Sequence, residues 1–212
     1  MSANALTASW PSGEALPLVA SPASVIPSLV LRCQSGDAAA FGQLYREHRE
    51  TVSRLVFRVL GPTSEQEDVV QEVFLQVHRS IGRFRGQSQF STWLHRVTVN
   101  VALQQIRRRR SQPIAYVTDP VDLPEGVEDE TPLDRTLVFE RLAAVYRVLD
   151  GLSPKKRIVL VLHDLESVPA SEIARIVGSN VLTVRTRLFY ARREFHAALA
   201  KEPAFRGTPV AP

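Results

Sequence analysis

From Ser28 onward, apolar residues recur at three- and four-residue steps, and nowhere do they alternate over the length of a strand. The period breaks once, between Pro113 and Pro132, where Pro113, Pro120, Pro124 and Pro132 stand among acids. Proline removes a backbone donor that a helix needs and like charges repel, so this stretch reads as a semi-extended linker. A chain patterned in this way is confined to an all-α fold: two helical domains joined by a flexible acidic linker. The boundaries expected are a disordered tail over 1–27, a first domain over 28–112, the linker over 113–134, a second domain over 135–201 and a short tail over 202–212.

Local signals place the helices. Asp37 is an N-cap for a helix carrying Phe41, Leu44, Tyr45, Val52, Leu55, Val56 and Val59 on one face. Gly61-Pro62 ends it, the glycine supplying a left-handed residue and the proline refusing continuation. Ser64 and Glu67 have the spacing of a capping box, followed by the stripe Val69, Val70, Val73, Phe74 and Val77. A basic loop, Arg83 to Gln89, leads to a helix from about Phe90 with Leu94, Val97, Val101 and Ile106 inward and four arginines, 107–110, at its end. Beyond the linker, Leu142, Val145, Tyr146 and Leu149 mark another helix. Ser153-Pro154 then opens a further one containing Ile158, Val159, Val161 and Leu162.

The stretch from Ala170 to Arg193 has the layout of a helix-turn-helix. Ile173, Ala174 and Val177 form the apolar face of a short helix, Gly178 allows a tight turn, and Asn180 caps the next helix. Val184 and Leu188 of that helix pack inward, while Leu182, Arg185, Thr186 and Phe189 point out. A second helix so exposed enters a DNA major groove, with base edges read from its first turns and Arg187, Arg192 and Arg193 placed for phosphates. An αα-hairpin with a basic solvated face is the other reading of the same residues.

Charge distribution agrees with nucleic acid. The formal net charge is only +4, but Arg79 to Gln112 holds eight arginines and no acid, and Ile173 to Arg193 holds five arginines and no acid. Between them, Pro113 to Asp134 holds seven acids and no base. Two basic blocks outline a binder with two contact surfaces. The single cysteine, Cys33, excludes a disulfide framework, and the histidines at 48, 78, 95, 163 and 196 show no metal spacing. His163 and Asp164, adjacent on a helix, are expected to face apart rather than form a catalytic pair. No phosphate loop, nucleophile elbow or dinucleotide fingerprint is present, so no catalytic residue, cofactor or metal is expected. The longest uncharged run, Ala15 to Leu31, is broken by Pro17, Pro22 and Pro27, and no Lys or Arg precedes it. A cytoplasmic chain without membrane insertion is the expectation.

Three stretches resemble the extracytoplasmic-function (ECF) sigma factors of the sigma-70 family. They are Glu67-Asp68 through Gln71-Glu72 to Phe74, then Phe84-Arg85-Gly86 through Trp93-Leu94 to Asn100, and then Leu152-Ser153-Pro154 with Glu172 through Thr183 to Leu188. The resemblance implies a dissociable specificity subunit that brings core RNA polymerase to promoters and starts their opening. It implies that Asp68, Gln71, Glu72 and Phe74 dock on the β′ clamp helices of the polymerase, with the β flap as a further contact. It implies that Arg83, Arg85, Gln87, Gln89, Trp93, Asn100, Arg107 and Arg108 meet the promoter −10 element, held as a single strand. Cations there would grip the backbone, and amide or π groups an unstacked base. It implies duplex −35 contacts by Leu182, Thr183, Arg185, Thr186, Arg187, Phe189 and Arg192, and an anti-sigma partner. The acidic linker would occupy a basic nucleic-acid channel of the enzyme.

Phe90 reads as core, while Phe84 and Trp93 stay open between core and stacking platform. Gln104, Ser179, Tyr190 and Pro169 depart from the family pattern; Tyr190 removes one expected DNA cation. Two other functions are to be weighed. A dimeric helix-turn-helix regulator of duplex DNA leaves the first two stretches unexplained. A recombinase or nuclease would need metal carboxylates, for which Asp68 and Glu72 are the only nearby pair in the first domain.

Overall fold

The computed structural model describes residues 27–111 and 132–205. Residues 1–26 of the expected N-terminal tail, nearly all of the linker and the end of the C-terminal tail therefore lie outside the described residues. Among the described residues all regular structure is helical. In chain order the helices are α1 (Ser28–Gln34), α2 (Ala38–Leu60), α3 (Gln66–Ser80), α4 (Phe90–Ser111), α5 (Pro132–Gly151), α6 (Pro154–Leu160), α7 (Ala170–Val177) and α8 (Val181–Leu199). A 3-10 turn, Ile81–Arg83, follows α3, a π turn, Val161–Leu165, extends α6, and a second 3-10 turn, Pro203–Phe205, follows α8.

Helices α1 to α4 form the first bundle. Asp37 caps α2 by accepting from the Ala40 amide at 3.0 Å, and Leu44, Val52, Leu55, Val56 and Val59 are buried as their spacing predicts. Each such side chain contributes roughly 1.5–3 kcal/mol of apolar transfer. Gln34, at the end of α1, donates to the carbonyls of Ile81 at 2.9 Å and Phe84 at 2.8 Å, which pins the basic loop to the bundle.

The expected capping box does not form. The residue before α3 is Glu65, and its side chain makes no cap bond. Glu67 instead receives the Arg49 guanidinium at 2.7 Å, and Glu65 accepts from Gln105 of α4. Longer-range cations and amides outcompete the local amide for both carboxylates.

Helix α5 begins at Pro132, inside the stretch read as linker, because proline at a first helical turn costs no hydrogen bond. Ser153 has N-cap backbone geometry ahead of Pro154. Its carbonyl accepts from the Lys156 and Arg157 amides, while its hydroxyl makes no cap bond. Helices α6, α7 and α8 pack on one another, and α5 covers α8.

The two halves also pack together. Helix α4 meets α6 and α7, and one apolar core runs from Val30 to Ala191 through both bundles. Tyr146 of α5 sits on Gly61 and donates from its hydroxyl to the Phe57 carbonyl at 3.1 Å.

Candidate nucleic-acid and polymerase interface

On α3 the buried stripe Val69, Val70, Val73, Phe74 and Val77 leaves the opposite face to solvent. Asp68, Gln71 and Glu72 lie exposed there, with Glu72 3.6 Å from Arg79. Phe74 does not join them. Its ring is 4 % exposed and packs 4.6 Å from Tyr45, because the helical period turns it with the valines toward α2. It is a core residue, and its assignment to a docking face is corrected. Leu75, which sequence reasoning passed over, is half exposed on the open side.

The basic loop and α4 present Arg83, Arg85, Gln87 and Asn100 to solvent, with Gln89 half-buried. Phe84, Phe90 and Trp93 make a three-ring cluster with centroids 5.5–5.7 Å apart. Phe84 and Phe90 are buried, so both are core, and only Trp93 keeps partial exposure. The arginine run at the end of α4 divides. Arg107, Arg108 and Arg110 are exposed and Arg109 is half-buried; Arg109 reaches Thr63 Oγ1 at 2.7 Å, and Arg110 donates to the carbonyls of Asp150, at 3.1 Å, and Leu152. Burial draws the Arg109 guanidinium below its usual range, opposed by the neighbouring Glu65 carboxylate.

The helix-turn-helix forms as its caps require. Gly178 adopts φ 62° and ψ 47°, and the Ser179 amide bonds the Ala174 carbonyl at 2.9 Å, so the turn is intact with serine in it. Asn180 accepts from the Thr183 amide at 2.7 Å. Val184 and Leu188 are buried, and Leu182, Arg185, Thr186 and Phe189 are exposed, Leu182 at 73 % and Phe189 at 62 %. Thr183 and Arg187 are half-buried. Tyr190 lies beside Phe189 with Arg193 5.6 Å over its ring. An open groove of about 620 Å³ on α8 is lined by Arg185, Leu188, Phe189, Arg192, Arg193 and His196.

Arg192 is engaged rather than waiting for phosphate. Its Nε donates to Asp164 at 2.9 Å and its Nη2 lies 3.1 Å from His163 Nδ1. His163 Nδ1 is itself 2.7 Å from Asp164. The expectation that His163 and Asp164 face apart is corrected: the π turn rotates the two side chains together. Among the described residues no group of three or more His, Cys, Asp or Glu could hold a metal ion, and no helix is long and apolar enough to cross a membrane.

Comparisons agree with this geometry. The family profile Sigma-70 region 2 matches residues 44–112, and Sigma-70, region 4 matches residues 142–195. The RNA polymerase sigma-H factor of Pseudomonas aeruginosa is 33% identical over 177 residues, covering 81% of this chain and 92% of the relative. The ECF RNA polymerase sigma-E factor of Escherichia coli K12 is 34% identical over 171 residues, 77% and 88% of the two chains. The ECF RNA polymerase sigma factor SigM of Mycobacterium tuberculosis is 36% identical over 178 residues, 83% of each. Among solved structures, CnrH in complex with the cytosolic domain of CnrY matches with TM-score 0.59 at 23% identity, over 82% of this chain and 97% of that one. The sigma factor RpoE in complex with the anti-sigma factor NepR from Bartonella quintana matches with TM-score 0.54 at 17% identity, over 76% and 98%. At those identities the two structures show the fold alone. The chain belongs to the sigma-70 family, in its ECF branch. It is therefore an RNA polymerase sigma factor, and the reading as a dimeric duplex-binding regulator falls away.

Proposed function

We propose that this sigma factor divides its labour between two chemically opposite faces of its first half and one face of its second. The supporting observation is the exposure pattern of region 2. An acidic and amide face on α3 (Asp68, Gln71, Glu72) and a cationic and amide face on the loop and α4 (Arg83, Arg85, Gln87, Asn100) are both open to solvent. The first suits the β′ clamp helices of core polymerase. The second suits a single promoter strand, where arginines hold phosphate and amides or the edge of Trp93 receive an unstacked base. Gln89 flanks that surface, and Arg107 and Arg108 continue it onto duplex phosphates.

In region 4, Leu182, Thr183, Arg185, Thr186 and Phe189 read the −35 element in the major groove, with Arg187 and Arg192 at its edge. The β flap of the polymerase takes a further part of this half. The chain has no catalytic residue of its own and needs no cofactor; the polymerase does the chemistry in the cytoplasm. Two of its solved neighbours are held by CnrY and by NepR, which supports an anti-sigma partner of its own.

Run-off transcription with purified core polymerase on a promoter library tests this directly. The chain is expected to select a −35/−10 pair, with Arg85→Ala and Asn100→Ala reducing opening and Arg185→Ala reducing −35 discrimination. Initiation unchanged by all three substitutions would overturn the assignment.

A further inference from the structure

We propose that His163 and Asp164 are positioning residues for Arg192 of α8: together they decide whether that arginine offers the DNA backbone a net cation, and a proton on His163 releases it. This rests on the reading of α8 as the helix that meets the −35 duplex. One carboxylate oxygen is shared. Arg192 Nη2 and His163 Nδ1, the latter at 2.7 Å, both reach Asp164 Oδ1, and the two nitrogens lie 3.1 Å apart. Arg192 Nε takes the other oxygen, Oδ2, at 2.9 Å. A carboxylate has no proton to give, so His163 Nδ1 is the donor, and Nε2 is the ring atom left to take a proton from solvent.

The charge at the edge of α8 follows from this arrangement. With a neutral ring, Asp164 cancels Arg192 and the cluster presents no net charge. With an imidazolium it presents one positive charge, and two cations 3.1 Å apart then compete for one oxygen. Arg192 is the one able to leave: its side chain is 45% exposed, whereas the π turn fixes His163 beside Asp164. An exposed ion pair is worth at most about 1 kcal/mol, so a backbone phosphate can take the guanidinium over. Histidine suits this control because its ordinary titration lies near neutrality.

Charges on the helices packed against the π turn have partners of their own. Arg58 of α2 pairs with Glu166 at 2.8 Å, Arg157 of α6 pairs with Asp150, and Glu172 of α7 pairs with Arg175 at 2.7 Å. His196 of α8, one turn beyond Arg192, lines the same groove and is the other titrating group to be separated.

The test is fluorescence anisotropy of the full chain on a short labelled duplex of arbitrary sequence, in salt series at pH 8 and pH 6, with helicity checked at both. The wild-type dependence of log K on log salt should steepen at pH 6 by up to about 0.9, one phosphate's worth. His163→Gln should keep the shallow slope at both pH values, and His163→Lys and Asp164→Asn the steep one. Arg192→Ala should abolish the response, while His196→Gln should keep it. A wild-type slope that does not move overturns the proposal. So does a full response in His163→Gln, its loss in His196→Gln, or its survival in Arg192→Ala, which would put the proton's effect on His163 alone. Arg185→Ala judges the underlying reading of α8: it removes a cation outside the cluster and should lower the slope at both pH values by up to about 0.9. If it does not, α8 is not the DNA face and the −35 reading fails. If it does while the wild type ignores pH, the role of His163 and Asp164 falls and the −35 reading stands.

Discussion

Asp164 holds the guanidinium of Arg192 at two points, Nε to Oδ2 at 2.9 Å and Nη2 to Oδ1, across 28 residues of sequence. Partial burial works against the Asp164 carboxylate, but the hydrogen bonds from Arg192 and His163 prevail and keep its pKa below the usual range. The same bond to Asp164 raises that of Arg192. The pair carries no net charge at the edge of the DNA-facing helix. Asp164→Asn should free that cation, strengthen binding to non-specific duplex, and steepen the dependence of log K on log salt by up to about 0.9, one phosphate's worth. Fluorescence anisotropy across a salt series measures it, and Arg192→Ala should change the wild-type slope by less than that amount.

Phe74 and Leu75 are neighbours with opposite fates. Phe74→Ala opens a cavity in the region 2 core and should cost about 3–5 kcal/mol, read as lowered thermal and urea stability. Leu75→Ala removes a half-exposed side chain beside Gln71 and Glu72, so stability should stay within about 0.5 kcal/mol. Binding to core polymerase, measured by titration, should weaken for Leu75→Ala while the fold is kept. The reverse pattern would show that the docking face lies elsewhere.

Acidification should loosen the packing around α4 through His95. The ring is 7 % exposed on α4, and burial pulls its pKa below the ordinary 6.5. Facing it are Glu166, just after the π turn, and Glu172 from α7, which oppose that shift, and His48 from α2, which adds to it. Burial likewise lowers His48. A histidine with a depressed folded-state pKa leaves stability intact above pH 6.5. Below that value the loosened state takes up protons first, and the contribution is lost progressively as pH falls toward the depressed value. Thermal unfolding, followed from pH 8 to pH 5, should change over that window. In His95→Gln the transition should shrink to the part that His48 contributes.

The start of the recognition helix α8 is capped by one side chain. Asn180→Ala removes the bond to the Thr183 amide and should cost about 1 kcal/mol, near 2–4 °C in Tm for a chain of this size. Loss of −35 binding beyond what this stability change explains would mean that the cap also orients Arg185 and Thr186. An anisotropy titration on duplex at low temperature, where the fold is complete, separates the two effects.

What the sequence disclosed was local. Asp37, Gly178 and Asn180 could be placed because a cap satisfies amides within a few residues of itself. The buried stripes followed from a period of 3.6. The recognition face of α8 was legible for the same reason: Leu182, Arg185, Thr186 and Phe189 alternate in register with Val184 and Leu188. What escaped was set by distant partners. Glu67 looks like half of a capping box until Arg49, 18 residues away, takes it. Glu172 and Arg157 look like surface charges, yet their partners, Thr92 and the Val59 carbonyl, lie 80 and 98 residues away. Phe74 was misassigned to the docking face by the family resemblance, although its place in the stripe with Val70, Val73 and Val77 already turned it inward. The π turn that joins His163 to Asp164 leaves no mark in a pattern of apolar spacing.

Gly61 ends α2 with φ 81° and ψ −178°, a backbone that side chains rarely adopt, and a Cβ there would lie 2.7 Å from the Tyr146 ring. Two separate penalties therefore fall on Gly61→Ala: positive-φ strain of about 1 kcal/mol and overpacking against α5 of about 1–3 kcal/mol. The second depends on Tyr146 and the first does not. In a Tyr146→Ala background the ring is gone, so the cost of Gly61→Ala should fall to the strain alone, giving a coupling of about 1 kcal/mol or more in a double-mutant cycle. Urea unfolding of the four chains measures it. Equal costs in the two backgrounds would mean that α5 does not rest on the end of α2 in solution, and that region 4 is not docked there.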